Sequence, residues 1–218
     1  MGLLEIAPKR SLPALSSQRF SKMVSLSKKS SKKVGLFVDT FTEFHTPNVG
    51  IAAVSLLEKM GFEVIVIPWT CCGRPALSKG FLPKAKKHAQ KVIQRLLPIA
   101  KQSIPIVGLE PSCLLTIVDD YEGLIPSADV KLVAKHCVLL DEFIASNLES
   151  LPPVKKETSL DIHYHVHCYQ KALQGGIHTQ KILSSLPMVS SEIPSGCCGM
   201  AGSFGYEKEH YETSMKIG

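Results

Sequence analysis

One repeated order constrains this 218-residue chain more than anything else: an apolar run, a helix-like stretch, a second apolar run, then Cys-Cys-Gly. The first copy starts at Val34-Gly-Leu-Phe-Val38. Thr46-Pro47 then opens a helix that stops at Gly61, and Glu63-Val-Ile-Val-Ile67 and Pro68 lead to Cys71-Cys72-Gly73. Proline just inside a helix start and glycine just past its end are the expected punctuation. The second copy is a strand over 160–166, a helix over about 169–186 and a strand over 189–193, ending at Cys197-Cys198-Gly199. Strands alternating with helices of this length predict parallel strands joined by crossover helices, an α/β fold. The expectation is two pseudo-repeated Rossmann-like halves, 34–150 and 151–218, divided at Pro152-Pro153 and Lys155-Lys-Glu157. The second half is expected to be truncated, because Gly218 arrives where a closing helix, strand and cysteine should follow.

Within the first half, helical spacing turns Val49, Ala53, Leu56, Leu57 and Met60 to one side. A second helix from about Pro83 turns Ala85, Ala89, Val92, Ile93, Leu96 and Leu97 inward, with Lys84, Lys86, Lys87 and Lys91 wet. A strand over 104–109 leads to Cys113. A helix over 136–148 is expected to bury Leu139, Leu140, Phe143, Ile144 and Leu148, with Cys137 at its start as a small buried hydrophobe.

A hydrophobic fraction of 44% supplies enough material for a core. The net charge of +6 is unevenly placed: residues 1–33 carry +7, leaving −1 for the remainder. This Ser-rich basic segment reads as a flexible arm or linker, with an organellar transit peptide as the alternative. Basic residues gathered there, rather than on a folded face with polar readers, argue against a nucleic-acid partner. No run approaches a transmembrane length, Ile6 spoils a myristoylation signal, and no secretory signal is visible. The seven cysteines are therefore expected as reduced thiols in a cytoplasmic protein, peripheral at most to the inner face of a membrane.

Two adjacent thiols diverge from an extended backbone and cannot share one apolar pocket, so Cys-Cys-Gly is unusual for packing alone. Gly73, Gly199 and Gly202 would let the chain turn back at positive φ and approach a bound group closely. Thiolates suit iron–sulfur clusters, zinc or copper(I). His163, His165 and His167 would share one strand face by alternation, which suits metal binding or a plain hydrogen-bonded surface. Asp39 reads equally as a ligand or a cap. Arg74 and Lys171 could hold anionic charge or be solvated.

From about residue 34 onward the chain resembles the cysteine-rich (Cys-Cys-Gly) domain family. That family occurs in the cysteine-rich component of heterodisulfide reductase and in the iron–sulfur components of glycolate and lactate oxidases. The matching stretches are Leu36-Phe-Val-Asp-Thr40, Cys71-Cys-Gly-Arg-Pro75, Ser78-Lys-Gly80, Gly108-Leu-Glu-Pro-Ser-Cys113, His167-Cys168, Gln170-Lys171 and Gly196-Cys-Cys-Gly-Met-Ala-Gly-Ser-Phe-Gly-Tyr206. The likeness is nearest to the C-terminal region of FAD-linked 2-hydroxyacid dehydrogenases, and Arg10-Ser-Leu-Pro13 looks like the joint preceding this domain in the fused enzymes.

The resemblance implies a repeat of a lone Cys, Cys-Cys-Gly and Cys-x-x-Cys, and this chain departs from it. Asp39 stands at the lone Cys of the first half and Glu110 at the first Cys of the last motif, leaving Cys71, Cys72 and Cys113. Carboxylates are poor substitutes in an iron–sulfur site, so this half would bind no cluster or a metal with mixed ligands. In the second half Cys168, Cys197 and Cys198 match, with His167 as an additional candidate. Three functions follow. The first is electron transfer through an iron–sulfur cluster of the 4Fe-4S type, from FAD on a partner domain or subunit to a quinone or carrier, in an oxidoreductase component not catalytically complete alone. The others are a thiol–disulfide module and a zinc-stapled binding module.

Overall fold

The structure is a computed structural model that describes residues 5–154, 161–194 and 196–218. Lys155-Lys-Glu157 and the expected start of the second-half strand at Leu160 lie outside the described residues. In chain order the regular elements begin with α1 (Phe20–Met23), β1 (Lys33–Phe37), α2 (Thr40–Phe44), α3 (Pro47–Lys59) and β2 (Glu63–Ile67). Next come α4 (Arg74–Ser78), α5 (Leu82–Ala100), β3 (Ile106–Gly108), α6 (Pro111–Leu115) and, after a π-helical turn over Thr116–Asp120, α7 (Tyr121–Leu124). Then follow α8 (Ala128–His136), β4 (Cys137–Leu139), α9 (Leu140–Ala145), β5 (Asp161–Tyr164), α10 (Cys168–Leu173), α11 (Ile177–Ser184), β6 (Val189–Glu192) and α12 (Tyr211–Ile217).

The four strands β2-β1-β3-β4 form one sheet, all parallel, and β5-β6 form a second parallel pair. The α/β architecture and the strand–helix–strand repeat are as the sequence predicts. Alternation along β1 sends Val34 and Leu36 to one face and Phe37 to the other. One face packs on α5 and α8 through Val92, Leu96, Val130 and Val133. The other packs on α1, α3 and α9 through Phe20, Val54, Leu57 and Phe143. The first sheet is thus covered on both faces, as parallel sheets require.

Several local expectations need correction. On α3 the inward face includes Gly50 and Val54, and Val49 is exposed. Cys137 lies in an edge strand, not at a helix start, because the run Cys137–Leu139 pairs with β3. It is buried all the same. The helix expected over 169–186 is two, broken at Gly175-Gly176, where Gly175 takes φ +68°.

The basic N-terminal segment, expected as a flexible arm, is laid along the body from Glu5 onward. Phe20 is fully buried, its ring pressed over Gly50, where an added Cβ would come within 2.7 Å of it. The serines and lysines that suggested a linker serve body carboxylates. Ser21 donates to Glu43, Ser27 and the Lys28 backbone to Glu58, and Lys29 and the Ser30 backbone to Glu63. The Ser27 and Lys28 backbone donors hold Glu58 below the usual carboxylate range.

Candidate metal centre

The loops after β1, β2 and β3 gather at the carboxyl edge of the sheet. There the order reverses between β1 and β3, the usual place for a site in an open α/β sheet. Cys71-Cys72-Gly73 follows β2. Gly73 takes φ +84°, and a Cβ there would sit 2.8 Å from the Cβ of His88, so the turn admits only glycine. Its N–H donates to the Cys71 sulfur (3.4 Å), and buried Tyr121 donates its hydroxyl to the Cys72 carbonyl (2.6 Å). Tyr121 and His88 are contributors the sequence did not single out. Neither belongs to a motif, and only a contact in space reveals them.

Cys71 and Cys113 are the thiol neighbours of Cys72; Cys72 and Cys113 are buried and Cys71 is half-buried. Both vicinal thiols are pushed well above the ordinary thiol range. For Cys71 the first cause is the neighbouring Cys72 thiol, and for Cys72 the Cys113 thiol; burial adds to each. A thiolate here would need positive charge from outside the trio.

The two carboxylates of this half are not turned toward the thiols. Asp39 caps α2, accepting from the backbone N–H of Phe41 (2.8 Å) and Thr42 (2.9 Å) and from the Thr42 hydroxyl (2.6 Å). Glu110 caps α6 by accepting from the Ser112 N–H (3.2 Å). The side chains satisfy orphan N–H groups at helix starts, which is the capping function of such residues.

In the second half, Cys197-Cys198-Gly199 follows β6 and repeats the first turn in detail. Gly199 takes φ +71° and donates its N–H to the Cys197 sulfur (3.4 Å), and Gly202 takes φ +70°. Cys168 opens α10. Its thiol is pushed up by burial first, and then by Cys197 and Cys198, which marks these two as its electrostatic neighbours. Cys168 and Cys198 are exposed and Cys197 half-buried, whereas in the first half Cys72 and Cys113 are buried and Cys71 half-buried.

His167 is not free to ligate. Its Nδ1 accepts from the Tyr169 N–H (3.2 Å) as the cap of α10, and its Nε2 meets the Ser112 hydroxyl at 3.1 Å. Burial lowers its pKa, in keeping with a neutral ring. The histidine alternation also fails, because β5 ends at Tyr164 and His163 pairs with Ser191 and Asp161 on an exposed edge.

The halves are joined around the two sites. Arg74, next to Gly73, bonds Asp120 (2.6 Å) and lies over the Tyr169 ring, while the Tyr169 hydroxyl donates to Asp119 and Asp120 (2.9 and 2.7 Å). The π-helical turn after α6 aims these aspartates at the junction. Lys171, the other cation singled out in the sequence, pairs with Glu192 (3.2 Å).

Among the described residues, the one group of three metal-ligating types within 4.8 Å of one another is Glu207, Glu209 and His210. Glu207 is already engaged by Lys79, Ser203 and His210. Three thiolates around one tetrahedral zinc, at about 2.3 Å each, would lie about 3.8 Å apart. Neither thiol trio is that compact. An iron–sulfur cluster spreads its cysteines over several irons and demands no such convergence. With Asp39 and Glu110 committed to caps, the first half offers a cluster only Cys71, Cys72 and Cys113. The second trio, with Cys168 and Cys198 exposed and a backbone donor aimed at the Cys197 sulfur, fits one.

The family model described as "Cysteine-rich domain" matches residues 38–118. Lactate utilization protein A of an Exiguobacterium species is 31% identical over 84% of this chain and 77% of its own length. This chain belongs to the cysteine-rich domain family. D-2-hydroxyglutarate dehydrogenase of Escherichia coli K12 is 30% identical over 82% of this chain and 17% of its own length. One of the subunits of anaerobic glycerol-3-phosphate dehydrogenase from the same strain is 28% identical over 99% of this chain. The chain spans about half (56%) of that protein's length. Among the described residues, no helix is long and apolar enough to cross a membrane.

Proposed function

We propose that this chain is an electron-transfer module of a flavin-linked dehydrogenase acting on a 2-hydroxy acid, with Cys168, Cys197 and Cys198 holding an iron–sulfur cluster of the 4Fe-4S type. The observation that carries the proposal is the Cys197-Cys198-Gly199 turn, with the Cys198 thiol exposed and Cys168 as its electrostatic neighbour. A bound cluster supplies one-electron chemistry at a potential tuned by its ligands and nearby N–H donors. The Gly199 N–H is such a donor, and its left-handed backbone keeps it pointed at sulfur. FAD belongs to a partner domain or subunit, and the acceptor is a quinone or carrier reached from the cytoplasm at the inner face of a membrane.

The substrates named for the relatives support the flavin partner through shared chemistry: each carries a secondary alcohol whose oxidation removes two electrons. Two of the three are 2-hydroxy acids, which favours that class here. Protein purified without oxygen should be brown, with iron and sulfide in equal amounts. Cys198→Ser should abolish that colour while Cys137→Ser keeps it. A colourless protein carrying one zinc, or equal loss in both variants, would overturn the proposal.

A further inference from the structure

We infer that the N-terminal segment is built into the second Cys-Cys-Gly turn, and that Arg10 is a positioning residue for it. Residues Glu5 to Ala7 run antiparallel beside Tyr206–Lys208. The Ala7 N–H donates to the Tyr206 carbonyl and the Lys208 N–H to the Glu5 carbonyl, both at 2.8 Å. Ala7 is buried by this contact. The chain then delivers Arg10, whose Nε donates to the Gly205 carbonyl (2.9 Å) and whose Nη2 donates to the Ser214 hydroxyl (2.8 Å). Its guanidinium also lies 5.2 Å from the centre of the Tyr211 ring.

Ser214 ties this fork to the thiols. It is buried on α12, and its carbonyl faces Gly199 so closely that a Cβ there would come within 2.3 Å. Its hydroxyl would be 2.8 Å from a Cβ at Gly205, and Gly218 makes a similar approach to the Cys198 carbonyl (2.6 Å). The backbone of Cys198-Gly199 is therefore seated directly on α12, with no side chain between them. Arg10 fixes α12 and the far end of the loop together, since its planar fork reaches one acceptor on each. A residue at the opposite end of the sequence from Cys197 thus sets the pose of the turn.

The inference rests on the proposed site but is tested without any cluster. In the full-length protein stripped of metal, iodoacetamide labelling is followed at each cysteine by peptide mass spectrometry. Loss of one or two hydrogen bonds that hold the turn closed should raise its opening roughly 5- to 30-fold. Arg10→Ala should therefore speed labelling of Cys197 by that factor while leaving Cys71 and Cys168 unchanged. Arg10→Lys, which keeps the charge but not the fork, should not restore the slow rate. Ser214→Ala should reproduce the effect, and the double variant should add little. Should Arg10→Ala fail to fold, Ser214→Ala alone decides. Labelling of Cys197 within twofold of the parent in a folded variant, or acceleration of all three cysteines alike, would overturn the inference. A colourless parent protein would count against the proposed function and leave this result standing.

Discussion

Asp39 separates a capping carboxylate from a metal ligand by stability and metal content measured together. The side chain is buried and accepts three hydrogen bonds, two from backbone N–H groups and one from the Thr42 hydroxyl. In Asp39→Ala the lost cap costs about 1 kcal/mol and the stranded buried hydroxyl about 1–2 more, for a total of about 2–3 kcal/mol. For a chain of this size that corresponds to a melting temperature lower by about 5–10 °C. Asp39→Asn keeps an oxygen toward the same N–H groups and should lose less than about 1 kcal/mol. Melting followed by circular dichroism, with iron and sulfide counted per folded chain, should give two different stabilities and one unchanged metal content. Equal stabilities with iron lost from both variants would refute the capping role and restore Asp39 as a ligand.

Other perturbations report on the remaining elements. Phe20→Ala removes a fully buried ring from the cluster between α1, α3 and the sheet, and should cost about 3–5 kcal/mol in urea unfolding. A loss under about 1 kcal/mol would mean that the segment is the loose arm its composition suggests. Tyr169→Phe breaks the hydroxyl's bonds to Asp119 and Asp120 across the halves and should lower stability by about 1–2 kcal/mol, seen as a lower urea midpoint. Cys137 is pushed up to about 12 by burial alone, so the folded state retains its proton where the unfolded chain releases it. Its contribution is complete below the ordinary thiol pKa and fades as pH rises toward 12. The stability gap between wild type and Cys137→Ala should accordingly shrink by about 1.4 kcal/mol per pH unit between about pH 9 and 11. A constant gap would show that the thiol is open to water.

Periodicity sufficed where one signal acted alone. α5 and α3 lie where proline, glycine and apolar spacing set them, and β1 and β2 are apolar runs too short and too bounded to be helices. The run at Cys137 is equally apolar and equally short, but its role as an edge strand is decided by pairing with β3, which spacing does not encode. Gly199 and Gly73 were legible because a thiol pair followed by glycine has little other use, and both indeed sit at positive φ. Asp39 and Glu110 were ambiguous in principle, since the residue types that ligate through oxygen also cap helices. Only the orientation of the carboxylate toward N–H groups resolves them. The N-terminal segment misled because its polar composition matches a linker. The body carboxylates Glu43, Glu58 and Glu63 that engage it are far away in sequence.

Iron and acid-labile sulfide per chain, measured in Cys198→Ser and Cys113→Ser proteins prepared without oxygen, bear most directly on which thiols do the redox work. Loss of both elements from Cys198→Ser, with Cys113→Ser retaining the wild-type amounts, is the outcome expected of a cluster confined to Cys168, Cys197 and Cys198. Depletion in Cys113→Ser with retention in Cys198→Ser would place the metal at Cys71, Cys72 and Cys113 and contradict that assignment.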